Sequence, residues 1–447
     1  MTAFVVAAAA AAGLAVMWTL PRWLPPAVVR LRERVFTRVN GAEGIPVPGP
    51  LVGAEDFERV YADPAADGRS AGAGLSDLFW YWLAPGAHMH QEHLEPGERY
   101  RTVARTTRQV LAVRHARSDE LATAAVRRAL DALPPDRTTP VRLRDLLMPV
   151  WAEVYHELVF DEPCPRDARD LVVANADDVV TALKGTGLRH MARRDRLTRY
   201  LQGRVEDGTC PVVLPPPFTA QETAWYLQGA FFNTAVVQMS EAAAHVLLCA
   251  GAYPAARDLV DDDDALDRIV DETLRVHPLF GVAHRITSAP IVVDDDVTLP
   301  TGSVLLFNYL AYQRTGAAAD DVFDPDRWRT LRHHDAHFVP FGVTANRACP
   351  ARGSAPVMLR AVLREVLRRY DVTSGGAHTR SLPNRGPAYL TPVGAAGPGR
   401  ARLAARHLTD RWADVGRSVQ QLVLGTVMVL DARRLQPCTT YFSEVRA

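Results

Sequence analysis

Lysine is almost missing from this chain of 447 residues. Lys184 is the only one, so 50 of the 51 basic residues are arginine, and they balance 51 acidic residues to a formal net charge of zero. No stretch of basic residues is interleaved with aromatic ones, which is the usual sign of a nucleic-acid-binding surface. The charge pattern therefore excludes nucleic acid as an expected partner.

Closely spaced cysteines are also missing. The five cysteines are far apart and odd in number, and no two are separated by only two residues. This spacing argues against a disulfide framework and against a structural zinc site, and it favours a reducing compartment. The five are Cys164, Cys210, Cys249, Cys349 and Cys438.

The N-terminus carries a long apolar segment. Residues 3–20 are apolar apart from Thr19, and this length is at the lower limit for a membrane span. Pro21 is predicted to end the helix, and arginines follow it while no charge precedes it. By the positive-inside rule, the segment predicts a single-pass anchor in the cell membrane with the rest of the chain in the cytoplasm. A cleaved signal peptide and a buried alanine-rich helix are the alternatives.

The rest of the chain is predicted to be mainly α-helical with small β-sheets. Helical periodicity dominates residues 55–280, with residues 121–130 and 222–250 as clear cases. Short strands are predicted at residues 291–293, 304–307 and 389–393. The predicted organisation is a membrane anchor over residues 1–22, a basic and then proline-rich linker over 23–50, a main domain over 51–395, and a helical extension over 396–447.

One cysteine stands in a distinctive loop. Arg347 precedes Cys349 by two residues, Pro350 follows it, and a helical pattern then runs to about residue 370. Because proline suits the first turn of a helix, Cys349 is predicted at a helix N-terminus, where backbone N–H groups and the helix dipole stabilise a thiolate. This arrangement suits a metal ligand, and a buried structural cysteine is the alternative.

Three charged motifs precede this loop in order. Glu272 and Arg275 lie three residues apart on a predicted helix, so they share a face. Arg285 comes before the strands, and Arg327 stands in a Pro-x-Arg-aromatic turn. Together with the cysteine loop, this order resembles the cytochrome P450 family, which has an ExxR motif, a Pro-x-Arg-aromatic motif and a cysteine loop. The resemblance covers roughly residues 45–395.

The resemblance implies the cytochrome P450 fold, a haem b cofactor and a role for each matching residue. Cys349 would supply the thiolate ligand to the haem iron, in a loop that begins at Phe341. Arg347 and Arg285 match the arginines that bind the haem propionates. A further propionate contact would come from Arg101 or Arg105, between which the sequence does not choose. The residues matching the buried charge network that holds the haem loop are Glu272, Arg275 and Arg327.

Two departures from the family pattern stand out. The loop between Phe341 and Cys349 is one residue longer than the family motif. On the long apolar helix, Asn233 replaces the acid that the family places before a threonine, here Thr234, and an amide cannot relay a proton by ionising. Gln238, one turn later, shares a face with Thr234 and is a further candidate for the oxygen side. Asn233 and Thr234 are otherwise ordinary polar positions of a partly buried helix.

These residues predict a haem-thiolate monooxygenase that oxidises a small organic substrate in secondary metabolism. Electrons would come from separate partners, such as a ferredoxin and its reductase, because the chain has no flavin or iron–sulfur segment. The altered long helix leaves open a P450-type enzyme of non-standard chemistry: rearrangement, dehydration, coupling or peroxide use. A membrane haem protein without catalysis is the alternative from another class.

Overall fold

The computed structural model describes residues 2–40, 44–279, 281–374 and 382–446, and most of them are helical. The helices are α1 (Thr2–Asn40), α2 (Phe57–Ala62), α3 (Gly74–Leu83), α4 (Glu98–Leu111), α5 (His115–Asp131), α6 (Leu143–Phe160), α7 (Arg166–Leu183), α8 (Met191–Glu206), α9 (Ala220–Leu227), α10 (Val236–Ala252), α11 (Asp263–Val276), α12 (Tyr309–Gln313), α13 (Ala355–Arg369), α14 (Arg400–Leu435) and α15 (Pro437–Arg446). The strands are β1 (Ile45–Val47), β2 (Thr139–Arg142), β3 (Val282–Ile286), β4 (Ile291–Val292), β5 (Thr298–Leu299), β6 (Val304–Asn308), β7 (Tyr370–Ser374) and β8 (Pro387–Pro392). The predicted fold class, mainly α with small sheets, is confirmed.

A long helix runs through the centre of the molecule. It comprises α9, a π-helical segment (Gln228–Ala235) and α10. It starts sharply because Thr219 and Glu222 form a capping box, in which each side chain accepts a hydrogen bond from the backbone N–H of the other. The continuous helix Ala220–Ala252 is long and apolar enough to cross a membrane, and most of it lies inside the protein core.

The main core forms where the long helix crosses its neighbours. Helices α5, α6, α10 and α13 pack on one another, and their buried side chains form one hydrophobic cluster. The largest buried side chains there include Trp151, Phe231 and Phe232. This core gives the long helix a fixed position, because close-packed interiors allow little displacement.

Three small sheets lie around the helices. One has the order β1–β6–β3, a second β2–β8–β7, and the third pairs β4 with β5. Strand β6 therefore does not pair with β4, although the two follow each other closely in sequence. It lies between β1 and β3 instead, and Arg285 on β3 is opposite Leu305 on β6. This pairing fixes Arg285 on a regular strand.

The N-terminal helix continues well past the predicted end. Helix α1 includes Pro21, Pro25 and Pro26 and ends only at Asn40, so the predicted stop at Pro21 is wrong, as is the part of the predicted linker (residues 23–50) that α1 covers. A proline removes one backbone hydrogen bond from a helix. Packing along α14, with Val28 buried, supports the turns on either side of these prolines.

The C-terminal extension folds onto the body of the protein. Helix α14 packs on α1 and α3, where Met428 and Val429 join Leu78 and Tyr81 in a buried cluster. The Tyr81 hydroxyl donates a hydrogen bond of 2.8 Å to Asp431. These contacts show that the extension packs on the body of the protein.

Asp77 on α3 holds the start of α15. Its carboxylate is buried and accepts hydrogen bonds from the backbone N–H groups of Cys438 and Thr439 at 2.8 and 3.0 Å, and from the Thr439 hydroxyl at 2.9 Å. A buried cap satisfies helix N–H groups that have no partner within the helix.

Replacing Asp77 with alanine is expected to loosen α15. Losing a capping side chain destabilises a helix by about 1–2 kcal/mol. Limited proteolysis should therefore cut residues 436–446 faster in the D77A variant than in the unmodified protein. Glu444→Ala, an exposed change on the same helix, is the control and should leave the cleavage rate unchanged. Equal rates for all three proteins would contradict the capping role.

Candidate functional site

The cysteine loop enters its helix later than the sequence predicts. Helix α13 begins at Ala355, with a proline in its first turn, and the residues between Cys349 and Ser354 form turns. The predicted position of Cys349 at a helix N-terminus is therefore wrong. The proline that begins the helix is Pro356, whereas Pro350 lies in the preceding turn. The helix dipole does not reach Cys349 directly, since its effect falls off within the first turn.

The loop closes on itself through the backbone. The N–H of Cys349 donates a hydrogen bond of 2.9 Å to the carbonyl of Phe341. Gly342 has a φ of +74°, and a side chain there would meet the Tyr61 hydroxyl at 2.9 Å, so glycine suits both the conformation and the space. Arg347 also adopts the left-handed region, with a φ of +52°. The longer loop thus makes its second left-handed turn at an arginine.

Asn346 ties this loop to the N-terminal side of the fold. Its side-chain amide donates hydrogen bonds to the carbonyls of Tyr61 and Ala66, at 3.0 and 2.9 Å. On the other side of the loop, the guanidinium of Arg352 donates a hydrogen bond of 2.8 Å to the Thr344 hydroxyl. Hydrogen bonds from the side chains of Asn346 and Arg352 therefore hold the longer loop in place.

The Cys349 side chain is only partly accessible. Burial is the main cause that raises the pKa of its thiol to about 11, and the charge of Glu92 acts in the same direction. A thiol in this position is protonated at neutral pH until a cation replaces its proton.

Arg347 precedes Cys349 by two residues and is partly buried. Its guanidinium donates a hydrogen bond of 2.8 Å to the carbonyl of Leu94 and lies 3.9 Å from the centre of the Tyr100 ring. Burial is the main cause that lowers the pKa of Arg347 to about 10, and the charge of Arg285 acts in the same direction. The positive charges of Arg347 and Arg285 therefore act on each other across a largely buried region.

Arg285 is the second of these charges and is almost fully buried. It donates a hydrogen bond of 2.8 Å to the Tyr61 hydroxyl and another of 3.2 Å to the carbonyl of His284. The Tyr61 hydroxyl in turn lies 2.9 Å from that of Tyr309. The contacts of Arg285 are thus made to uncharged groups.

Both arginines have unused hydrogen-bonding capacity. The Nε of Arg285 and one terminal nitrogen of Arg347 are buried and have no hydrogen-bond partner within the described residues. The structure also shows no carboxylate within ion-pair distance of either guanidinium in the described part of the chain. Buried arginines are costly without a counter-charge. Their arrangement fits an anionic group that carries two carboxylates, as the propionates of haem do.

Arg101 and Arg105 do not join this cluster. Both are exposed on α4, and Arg101 forms a surface ion pair of 2.8 Å with Glu98. The face of α4 that turns inward carries Tyr100, Val103 and Thr107 at helical spacing. A propionate contact from α4 would therefore come from the Tyr100 face, and the structure does not support one from either arginine.

Glu272 is the centre of a buried charge network. Its carboxylate is fully buried and accepts two hydrogen bonds from Arg275, at 2.7 and 2.9 Å, and one of 3.0 Å from Arg327. The indole N–H of Trp328 and the backbone N–H of Asp324 donate two more, at 3.0 and 2.9 Å. Arg275 uses its remaining N–H groups on the carbonyls of residues 318, 320 and 322. The three residues that the sequence groups together therefore meet in one satisfied network.

This network reaches the cysteine loop through aromatic packing. The ring of Trp328 lies 5.0 Å from that of Phe338, which is three residues before the start of the loop at Phe341. His333 packs on both rings, and its carbonyl accepts the N–H of Phe338 at 2.9 Å. The network holds Trp328 in place, and Trp328 supports the start of the loop.

Asn233 does not share the face of Thr234 on the long helix. It is buried, and its side-chain oxygen accepts a hydrogen bond from the amide of Asn175 on α7. The Asn175 oxygen accepts a bond of 2.9 Å from Gln228, whose own oxygen accepts a bond of 2.5 Å from Thr198. Asn233 thus belongs to a polar network between helices, which is the ordinary structural role that the sequence leaves open.

Thr234 and Gln238 lie on a different side of the same helix. They are partly exposed together with Ala230, whereas most of the helix is buried. Ala230 and Ala235 pack at the edge of the same core as Phe341 and Ala351 of the cysteine loop. Thr234 and Gln238 therefore remain candidates for the oxygen side, because their side chains are partly accessible on the long helix.

Sequence reasoning missed the uncharged partners of the two arginines. Tyr61 and Tyr100 contact Arg285 and Arg347, and no motif in the sequence marks either tyrosine. The helical spacing of Tyr100 with Val103 and Thr107 was a usable signal. Glu92 was missed as well: burial raises the pKa of its carboxyl to about 7, and its charge raises the pKa of the Cys349 thiol.

Comparison with known protein families matches residues 263–393 to the family model described as Cytochrome P450. A cytochrome P450 monooxygenase of Ganoderma lucidum is 31% identical over 130 residues, which are 26% of this chain and 25% of that protein. A putative cytochrome P450 of Mycobacterium tuberculosis is 32% identical over 135 residues, 28% of each chain. A trimethyltridecatetraene synthase of Zea mays is 28% identical over 181 residues, 38% of this chain and 31% of the relative. The matched segment thus spans a quarter to a third of these relatives.

Solved structures resemble a much larger part of the chain. A mutant of cytochrome P450SP alpha superposes with a TM-score of 0.61 at 15% identity, over 76% of this chain and 90% of that one. P450BioI, solved with a fatty-acid-loaded acyl carrier protein, gives 0.60 at 16% identity over 76% and 91%. A six-coordinated cytochrome P450 of Thermus thermophilus gives 0.57 at 16% identity over 75% and 91%.

The matched segment contains Glu272, Arg275, Arg285, Arg327, Arg347 and Cys349. The superpositions show that the helices and sheets around these residues have the cytochrome P450 fold. The order of the motifs, the network around Glu272 and the cysteine loop all agree with this match. Residues 263–393 therefore match the cytochrome P450 family, and the chain has the cytochrome P450 fold.

Proposed function

We propose that this protein is a haem-thiolate oxidoreductase that binds haem b and oxidises a small organic substrate. One observation carries the cofactor assignment: the buried Arg285 and the partly buried Arg347 each have a buried N–H group with no hydrogen-bond partner, and neither has a carboxylate partner in the described residues. A bound dianion would supply the missing counter-charges. Haem b brings two carboxylates together with an iron that a thiolate can ligate.

Each residue of the cluster has a role toward the cofactor in this proposal. Cys349 would ligate the iron, and its backbone bond to Phe341 fixes the direction of the sulfur. Arg285 and Arg347 would bind the propionates, and Tyr61 and Tyr100 orient the two guanidinium groups. When bound, the haem supplies the one-electron and oxygen chemistry that amino-acid side chains lack.

Monooxygenation is the leading reaction. The match to cytochrome P450 monooxygenases supports it, and Thr234 and Gln238 are the side chains of the long helix that could hold a proton or a water at the substrate. Electrons would come from separate redox proteins of the ferredoxin and reductase type. A role in secondary metabolism is part of the proposal and rests on the resemblance of the family motifs.

The turnover test uses isotopic oxygen. The purified protein is reconstituted with haem and surrogate redox partners and supplied with candidate substrates under ¹⁸O₂. The monooxygenase proposal expects one ¹⁸O atom in the product and consumption of NAD(P)H. A product that forms with no label would contradict oxygen insertion.

A second candidate function rests on Asn233. Asn175 donates a hydrogen bond to the side-chain oxygen of Asn233, whereas the Asn233 amide nitrogen has no hydrogen-bond partner in the described residues, and an amide cannot relay a proton by ionising. Proton delivery would then depend on Thr234, Gln238 or water. This favours a P450-type enzyme that performs rearrangement, dehydration, coupling or a peroxide-dependent reaction. Turnover with hydrogen peroxide in the absence of redox partners would support this candidate.

We further propose that the chain is anchored in the cell membrane through α1, with the haem domain in the cytoplasm. The apolar residues of α1 and the arginines that follow them support this orientation. Carbonate extraction of membranes should leave the full chain in the pellet. Its release into the supernatant would contradict an integral anchor.

Replacing Arg347 with glutamine is expected to weaken haem binding by about tenfold to a hundredfold. Charge-assisted hydrogen bonds contribute about 1.5–3 kcal/mol. Haem titration of the haem-free protein, followed by absorbance, measures the change. Arg101→Gln is the matched control, because this arginine is exposed and pairs only with Glu98 in the described structure. Equal affinities of both variants would contradict a propionate site at Arg347.

A further inference from the structure

The outward side of α14 carries an apolar stripe. Val419, Val423, Val427 and Leu430 recur every three or four residues and are between 46 and 56% exposed. This spacing places them on one face of the helix. Residues 418–430 contain no charged side chain. The opposite side of α14 is already used, because Met428, Val429 and Ala432 pack on α3 and α7.

Helix α1 packs on α14 and has exposed apolar side chains of its own. Leu14, Val16 and Trp18 of α1 have 68, 54 and 70% of their surface accessible. Soluble surfaces rarely leave apolar side chains of adjacent elements exposed together. The neighbouring helices therefore present apolar faces that a partner would cover.

The charge of this helix pair indicates what the partner is. Helix α14 contains seven arginines and three aspartates, and α1 contains five arginines and one glutamate, so each carries a net charge of +4. The chain as a whole has a formal net charge of zero. These two helices thus carry a net positive charge, and the rest of the chain carries a net negative charge of the same size. An apolar face bordered by arginines is complementary to an anionic lipid surface.

We propose that the outer stripe of α14, together with α1, docks on an anionic lipid bilayer. This inference rests on the proposed membrane attachment through α1 and adds a second, interfacial helix to it. The contacts of α14 with the body determine how the protein is oriented on the membrane. Gln421 donates a hydrogen bond of 2.9 Å to the carbonyl of Lys184, between α7 and α8, and Tyr81 on α3 bonds to Asp431. Docking of α14 therefore holds the corner formed by α3, α7 and α8 next to the membrane.

The test places a small fluorophore at chosen positions of the full chain. Cys164, the partly exposed cysteine outside the candidate site, is first changed to serine, and a single cysteine is then introduced as Val423→Cys or Val427→Cys. Val16→Cys on α1 matches Val423 at 54% exposure, and Val213→Cys in a loop matches Val427 at 49%. Each protein is labelled with a bimane and reconstituted into phosphatidylcholine vesicles that contain phosphatidylserine, with and without brominated acyl chains.

Bromine quenching is expected at positions 423 and 427, several-fold stronger than at position 213. If position 16 is quenched but positions 423 and 427 are quenched no more than position 213, the docking of α14 is overturned while the anchor remains. No quenching at 16 would overturn the anchor and this inference together. Crosslinking between cysteines at position 423 of two chains would show that a second copy covers the stripe and would also overturn it.

The lipid charge is tested in the same series. Quenching at 423 should fall when pure phosphatidylcholine replaces the mixture, whereas equal quenching in both lipids would overturn the assignment to an anionic surface. The Soret band of each sample, recorded after reduction under carbon monoxide, reports the haem-thiolate centre separately. A failure of lipid docking is thereby distinguished from a failure of the proposed function.

Discussion

A Cys349→Ser variant should lose the Soret band that the carbon monoxide complex of a reduced haem-thiolate protein shows. A serine hydroxyl cannot replace a thiolate as the iron ligand at neutral pH, because the thiolate is the form that binds metal. Haem itself should still associate in part, since Arg285 and Arg347 are unchanged. The reduced carbon monoxide difference spectrum and the total haem content of the purified variant measure the two effects separately.

The control for this change is Cys164→Ser. Cys164 follows α6, and its thiol contacts the carbonyl of Pro165 at 3.5 Å, outside the candidate site. This variant should keep the full band. A band retained in C349S, or lost in both variants, would contradict Cys349 as the iron ligand.

The same ligation should depend on pH. Burial raises the pKa of the Cys349 thiol to about 11 in the haem-free chain, so iron must displace a proton to bind the sulfur. Ligation of added haem should therefore become more favourable as the pH rises towards 11. Parallel haem titrations at neutral and alkaline pH, within the range where the fold persists, measure this trend.

A Glu272→Gln variant should be strongly destabilised. Glu272 is the buried counter-charge of both Arg275 and Arg327, and it accepts five hydrogen bonds. An amide group keeps the shape but removes the charge and turns N–H donors towards the donors of the arginines. Breaking a buried pair by removing one partner is expected to lower the free energy of unfolding by about 3–5 kcal/mol. Urea unfolding followed by circular dichroism measures the change.

Asp326→Asn provides the comparison for this network. Asp326 pairs with Arg329 at 2.7 Å on the surface, a few residues from Arg327. Exposed pairs of this kind contribute little to stability, so the unfolding midpoint should remain that of the unmodified protein. If E272Q unfolded at the same midpoint as D326N, the network would not be the support of the cysteine loop that its contacts indicate.

The site residues that were predictable from the sequence are those that carry charge in a fixed order. Glu272, Arg275 and Arg327 could be grouped because their order resembles the motifs of the cytochrome P450 family, and the structure brings them together. Arg101 and Arg105 show the limit of that reasoning. They are basic and lie on the same helix as Tyr100, which contacts Arg347, yet the helical period of α4 turns Tyr100 inward and both arginines outward.

Other features depend on contacts between distant segments. Pro21 is an ordinary stop signal, but α1 packs along α14, nearly 400 residues away in sequence, and continues to Asn40. The direction of Asn233 is likewise set by Asn175 on another helix. Local patterns contain no information about such partners, so the end of α1 and the role of Asn233 required the fold.

Lys184 gives the folded chain an unusual chemical surface. The only lysine is buried and forms an ion pair with Glu241. Reagents that acylate amines will therefore find no lysine side chain on the surface, and an amine-directed crosslinker will report no distances between lysines. Acylation of Lys184 requires the junction of α7, α10 and α14 to open. The rate at which this single amine is modified thus measures how often that part of the native protein opens.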